Sequence, residues 1–223
     1  MMRIGLFGGT FNPIHFGHLR SALEIKEEFD LKSIYLIPSS IPPHKQPAFL
    51  ADAKDRYEMI KLAVSNSLDF TVSDVELKRH GPSYTIDTIR YFKSIMSDDT
   101  KIFLILGIDA FLEIDTWKSY EDIFLNTPLI VMMRPGLRDK DDDSNRKVFE
   151  NFLKSRISAG YRFADSKSFY YMHDEKKDVF LFKVTTLDIS STKIRKILKE
   201  GKSINFLLPD KVNEFIKYKG LYI

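Results

Sequence analysis

Apolar residues along this chain fall into two alternating arrangements. Short runs at residues 3–7, 33–37 ("SIYLI"), 70–73, 102–106 ("IFLIL") and 129–133 ("LIVMM") are rich in residues that suit a strand buried on both faces. Between them, apolar positions recur near helical spacing, as with Ile60, Leu62 and Ala63. They predict helices over 19–29, 53–65, 85–96 and 120–125. Strands alternating with helices in this way specify an α/β fold, a parallel sheet covered by helices. Two more helices, over 192–199 and 210–217, form a helical part at about 190–223, and Pro209 is a start signal for the second.

The rhythm breaks at about residues 137–178. This stretch opens with "LRDKDDDSNRK", which reads as a solvated loop. Further on, Val148, Phe149, Phe152, Leu153 and Ile157 fall on one helical face, and "FYYM" and "VFLFKV" read as strand material. No repeat or low-complexity linker divides the chain, so residues 1–223 read as one domain with a charged insertion. The insertion is a candidate for a lid or for a contact between copies in a homo-oligomer.

Composition narrows the chemistry. The 223 residues include no cysteine, which excludes thiol nucleophiles, Cys-ligated zinc and iron–sulfur centres. Net charge is +3 and the sequence pI about 8.8, a balance that suits anionic ligands. The basic residues are dispersed and match no nucleic-acid reader motif, so no nucleic-acid partner is expected. No apolar stretch approaches the ~18 residues of a membrane span and no leader pattern opens the chain, so the expectation is a soluble, cytoplasmic protein without a membrane partner.

Two of the five histidines, His15 and His18, stand in "GGTFNPIHFGHL" directly behind the first strand. That bend lies at the carboxyl end of a parallel strand, where open α/β sheets place ligands. Gly8 and Gly9 let backbone amides approach a phosphate, and His18, at or just before a helix start, meets the exposed amides and dipole that favour an anion. A plain tight turn accounts for the glycines equally well. Neither G-x-G-x-x-G nor a P-loop is present, since "GKS" at 201–203 has Lys196 where the loop needs glycine. Zinc is disfavoured, because H-E-x-x-H is absent and His44, His80 and His173 lie in unrelated contexts. Imidazole beside phosphate is the better reading, as a partly protonated histidine donates a charge-assisted hydrogen bond.

Other segments offer paired alternatives. "IPPHKQP" is either a surface loop or a proline-stiffened arm aiming His44 and Lys45 at a second phosphate. "GPSYTIDTI" places Ser83 or Thr85 as a helix cap, or leaves uncapped amides for a carboxylate. In "LGIDAFLEIDTWK", Asp109 either caps a helix or serves ribose hydroxyls or a magnesium-bound ligand, and Trp117 is either core or a stacking platform. "ISSTKIRKIL" supplies Ser190, Ser191 and Thr192 as caps, with Lys193 and Arg195 in the first turn. Cations there oppose the dipole unless a polyanion is bound.

Taken together and in this order, H-x-G-H at 15–18, "IPPHK", "GPSYTIDT", "LGID", Trp117, "RPG" at 134–136 and "ISSTKIR" resemble the nucleotidylyltransferase superfamily and, within it, bacterial nicotinate-nucleotide adenylyltransferase. The matches run from residue 4 to about 200. The resemblance implies a Rossmann-like open parallel sheet with helices on both faces. It implies an enzyme that moves AMP from ATP to nicotinate mononucleotide by direct in-line attack, with Mg2+ bound through the ATP phosphates, in NAD biosynthesis. On that pattern His15, His18, Lys45 and Arg195 are the catalytic set. Gly8, Gly9, Thr10, Phe11, Asp109, Ser190, Ser191 and Thr192 join His18 and Arg195 around ATP. His44, Lys45, Thr85, Trp117, Lys118 and Arg134 serve the acceptor, and no metal is held by protein side chains alone.

Within the same fold the acceptor could instead be the amide mononucleotide, phosphopantetheine or another phosphate ester. From a different class, the chain could be an ATP-sensing regulator. Every version requires the bend behind the first strand and the Ser-Ser-Thr helix tip to converge on one triphosphate.

Overall fold

Successive side chains of the unbroken apolar runs point to opposite sides, forming a sheet whose two faces are buried under different helices. The computed structural model describes residues 1–41, 50–133, 142–165 and 170–222. Five of its strands are the runs identified above: β1 (Arg3–Gly9), β2 (Ser33–Pro38), β3 (Phe70–Val72), β4 (Lys101–Gly107) and β5 (Leu129–Met133). β6 (Arg162–Asp165), β7 (Tyr170–Met172) and β8 (Val179–Lys183) complete the order β3-β2-β1-β4-β5-β8-β7-β6. Pairing is parallel from β3 through β8, and β7 and β6 are then added antiparallel.

Ile4, Leu6, Leu104, Leu106, Leu129 and Val131 point to one face. They meet α4 (Thr85–Ile95), α6 (Tyr120–Asn126) and α7 (Asp142–Phe152) through Ile89, Phe124 and Phe149. Phe7, Phe103, Ile105, Ile130 and Met132 point to the other face. There α1 (Phe16–Glu28), α2 (Ala53–Ala63), α8 (Ser191–Lys199) and α9 (Asp210–Lys219) bury Ile25, Ile60, Ile194 and Ile216. Helices therefore cover both faces, as the unbroken apolar strands require.

The chain runs from β1 outward to β2 and β3, then returns to add β4 on the opposite side of β1. Adjacent strands whose following loops diverge leave a crevice at their carboxyl ends, and here it opens between β1 and β4.

Three expectations need correction. The charged stretch is not a loop throughout: α7 starts at Asp142, and its first turn includes the buried Asn145. Of the apolar face expected there, Phe149 and Leu153 are fully buried and Phe152 and Ile157 pack on the core, while Val148 is exposed. α1 begins at Phe16 rather than residue 19, so His18 lies inside the first turn and His15 is the N-cap. No helix among the described residues is long and apolar enough to cross a membrane.

Candidate active site

The crevice holds two adjoining hollows. The first, of about 430 Å³, is bounded by Gly8, Gly9, Thr10, Phe11 and Asn12 behind β1, by His18, by Asp109 after β4, and by Ser191, Thr192 and Arg195 of α8. The second, of about 500 Å³, runs along the other side of the same strand ends to Glu76, Ser83, Tyr84, Thr85, Trp117 and Lys118. Phe7, Gly8, Gly9, Thr10, Gly107 and Ala110 line both, so the hollows share a floor. A Cβ added at Gly8 or Gly107 would meet nothing within 4 Å, which leaves the strand ends open to close backbone approach by a ligand.

The bend and the helix tip do converge. Ser191 Oγ donates to the Pro13 carbonyl at 2.8 Å, and Arg195 Nη1 donates to the Asn12 carbonyl at 2.7 Å. Arg195 also reaches Thr192 Oγ1 at 3.4 Å, so its guanidinium is folded back over the start of its own helix. Ser190 caps α8 by accepting from the Lys193 amide at 3.1 Å, and it does not border the hollow. The half-buried His18 ring stacks on His15 at a centroid distance of 3.7 Å and meets the Phe11 edge at 5.1 Å. His15 is 2 % exposed and borders neither hollow, so it supports the His18 ring from beneath.

On the other side, α4 begins at Thr85 behind Tyr84, and no side chain caps it. That leaves the first-turn amides at the hollow without a capping carboxylate or hydroxyl, as an anion site requires. Trp117 is half-buried, packed on the core by one part and facing the hollow by another. Lys118 Nζ lies 3.0 Å from Asp87 and 4.5 Å from the centre of the Tyr84 ring. His44, Lys45 and Arg134 lie outside the described residues.

Three residues unnoticed in the sequence organise these walls. Arg56, fully buried on α2, donates to the carbonyls of Ala51 at 3.0 Å, Thr10 at 2.9 Å and Ser40 at 3.1 Å. Asn12 Oδ1 accepts from the Ala51 amide and from the Tyr222 hydroxyl. Glu76 of the short α3 (Val75–Lys78) accepts from Thr88 Oγ1 at 2.7 Å inside the second hollow.

Burial pushes the Glu76 carboxyl above the ordinary carboxylate range, against the opposing pull of Thr88, Ser83 and the Arg79 charge. The native state thus holds this proton more tightly than the unfolded chain, so this contribution to stability is present at low pH. It is lost as pH rises from the unfolded value of about 4.3 through the raised folded one. Glu76→Gln is permanently neutral, and its unfolding midpoint relative to wild type is expected to climb between about pH 4 and pH 7. Thermal melts across that range test this, and a flat difference curve would refute it.

Among the described residues no group of three or more His, Asp or Glu is placed to hold a metal. Among the described residues Asp109 is the single acidic side chain bordering the first hollow.

Two nucleotide-sized hollows meeting at the switch point of a parallel sheet define a nucleotidyl-transfer type of α/β protein. The chain belongs to the cytidylyltransferase-like family, whose pattern matches residues 6–197, and within it to the group of nicotinate-nucleotide adenylyltransferases. It is 40% identical over 222 residues to the "Probable nicotinate-nucleotide adenylyltransferase" of Desulfatibacillum aliphaticivorans, covering 100% of both chains. A protein of the same name from Pseudomonas syringae pv. tomato is 37% identical over 99% of this chain and 93% of its own. Among solved structures, the nicotinic acid mononucleotide adenylyltransferase of Plasmodium falciparum, complexed with NaAD, aligns with a TM-score of 0.71 at 21% identity. That alignment covers 100% of this chain and 98% of the other, and it establishes likeness of fold.

Proposed function

We propose that this chain transfers AMP from magnesium-bound ATP to nicotinate mononucleotide, releasing pyrophosphate and forming nicotinate adenine dinucleotide. The observation that carries this reading is the shared floor of the two hollows. A triphosphate beside His18, Ser191 and Arg195 would put its α-phosphorus near Gly8 and Gly9, within reach of a phosphate ester entering from the Trp117 side. The names borne by full-length relatives at about 40% identity support the same substrates.

In this reaction an acceptor phosphate oxygen bonds to the α-phosphorus while the bond to the bridging oxygen breaks, and pyrophosphate leaves with that electron pair. The nucleophile is already ionised, so no strong general base is needed, and positioning with charge stabilisation dominates. Magnesium enters as part of the ATP substrate and offsets phosphate charge. The chain contributes the α8 tip and Arg195 toward the departing phosphates, His18 toward the reacting phosphate and Asp109 toward the nucleotide. Trp117 offers a face for the pyridine ring, and the uncapped start of α4 with Thr85 offers hydrogen-bond donors for its carboxylate.

Pyrophosphate release with ATP, magnesium and a panel of acceptors tests the reading. Hydrogen bonds to a charged group are worth about 1.5–3 kcal/mol each. The acid mononucleotide is therefore expected to exceed the amide by about ten- to a hundredfold in kcat/KM. ATP binding without pyrophosphate release for any acceptor would establish a nucleotide sensor instead.

A further inference from the structure

α9 ends in Lys217, Tyr218 and Lys219, and Gly220 turns the chain in the left-handed region at φ 61°. The Leu221 amide bonds back to the Ile216 carbonyl at 3.0 Å, the closure that commonly stops a helix at glycine. This turn sends Tyr222 inward, where its ring joins the core containing Phe7, Phe11 and Ile216. Its hydroxyl donates to Asn12 Oδ1 at 2.7 Å, and the Ala51 amide donates to the same oxygen at 3.1 Å. Both lone-pair directions of that oxygen are engaged, which fixes the rotamer of Asn12 and the peptide that follows it. The two carbonyls of that segment, Asn12 and Pro13, receive Arg195 and Ser191 Oγ.

We propose that Tyr222 is a positioning residue for the nucleotide site: its hydroxyl, through Asn12, sets the two carbonyls that aim Arg195 and the α8 tip at the triphosphate. Tyr222 borders neither hollow, so it acts without touching the ligand. A side chain that merely latched the tail onto the core would influence both hollows alike. Through the Asn12 and Pro13 carbonyls the contacts lead to Arg195 and Ser191, which border the first hollow and not the second. The inference rests on the reading of the first hollow as the ATP site and is independent of the acceptor's identity.

The test is titration calorimetry of the full chain with MgATP alone, for wild type and Tyr222→Phe, which keeps the ring and removes one oxygen. Losing one buried hydrogen bond is expected to weaken MgATP binding by about five- to tenfold. The KM of the acceptor should stay within about twofold, which the same conversion makes a negligible change in binding. In an Asn12→Ala background, Tyr222→Phe should add no further loss, because the pathway through the amide is already broken. Unchanged MgATP affinity in Tyr222→Phe, equal weakening of ATP and acceptor, or full additivity with Asn12→Ala would each overturn the proposal. If wild type itself fails to bind MgATP, the reading of the first hollow fails instead.

Discussion

His18→Ala is expected to lower turnover by on the order of 10²–10³ while the protein keeps its fold. Among the described residues His18 is the imidazole that borders the first hollow, inside the first turn of α1 where helix amides and dipole already favour an anion. Its ring is held from three sides, stacked on His15 at 3.7 Å and flanked by the edges of Phe11 at 5.1 Å and Phe7 at 6.3 Å. A donor fixed in that way needs no reorganisation when charge develops on the phosphate, and removing one such donor costs on the order of 3 kcal/mol in the barrier. The ring is only partly buried and contributes less to the core than the fully buried His15 beneath it, so circular dichroism and the unfolding midpoint should change little. Single-turnover measurement of pyrophosphate release at saturating substrates gives the size of the loss. Near-normal turnover in a folded variant would remove His18 from the mechanism and leave Arg195 and the α8 tip as the ATP-side candidates.

The same segment shows what could be read from the sequence and what could not. β1 to β5 were legible because strands buried on both faces need unbroken apolar runs, and those runs survive inspection without any neighbour. The crevice at the carboxyl ends followed from parallel topology alone. β6, "RFAD", carries no such pattern, since it pairs on one side only and includes the exposed Phe163. The later part of α7 showed its helical face through Phe149, stacked on Phe111 at 4.7 Å, while its start was obscured because the first turn is charged.

Residues whose chemistry is itself the signal, such as Gly8, His18, Ser191 and Arg195, could be singled out from the chain. Asn12, Glu76 and Tyr222 could not, because their importance arises from burial against partners 39, 12 and 210 positions away. Arg56 did leave a trace. It sits four residues before Ile60 and three before Met59, on the apolar stripe of α2, and a charged residue there requires either exposure or a set of buried acceptors.

That set of acceptors makes Arg56→Ala the substitution with the largest expected effect on stability. The guanidinium is 0% exposed and donates through all three nitrogens to carbonyls of Thr10, behind β1, and of Ser40 and Ala51, at the two ends of the connection between β2 and α2. Burial without a carboxylate in direct contact lowers its pKa from the ordinary arginine value, the direction expected when a cation is held only by carbonyl dipoles. Hydrogen bonds involving a charged group are worth about 1.5–3 kcal/mol each and are not additive, and water can enter the emptied space, so a total of about 4 kcal/mol is expected. Against a typical folding stability of about 5–15 kcal/mol, such a loss is severe without necessarily unfolding the chain. For a domain of this size it corresponds to a fall of about 8–16 °C in the unfolding midpoint. Arg56→Lys can reach one of the three carbonyls at a time, so most of the loss should persist. Because Thr10 lines both hollows, the surviving folded fraction should show weaker binding of ATP and acceptor together, unlike Tyr222→Phe, whose effect is confined to ATP. Calorimetric melting and paired binding titrations separate the two patterns. A melting temperature within about 2 °C of wild type, a change of at most about 1 kcal/mol, would show that the two loops hold their positions without the buried guanidinium.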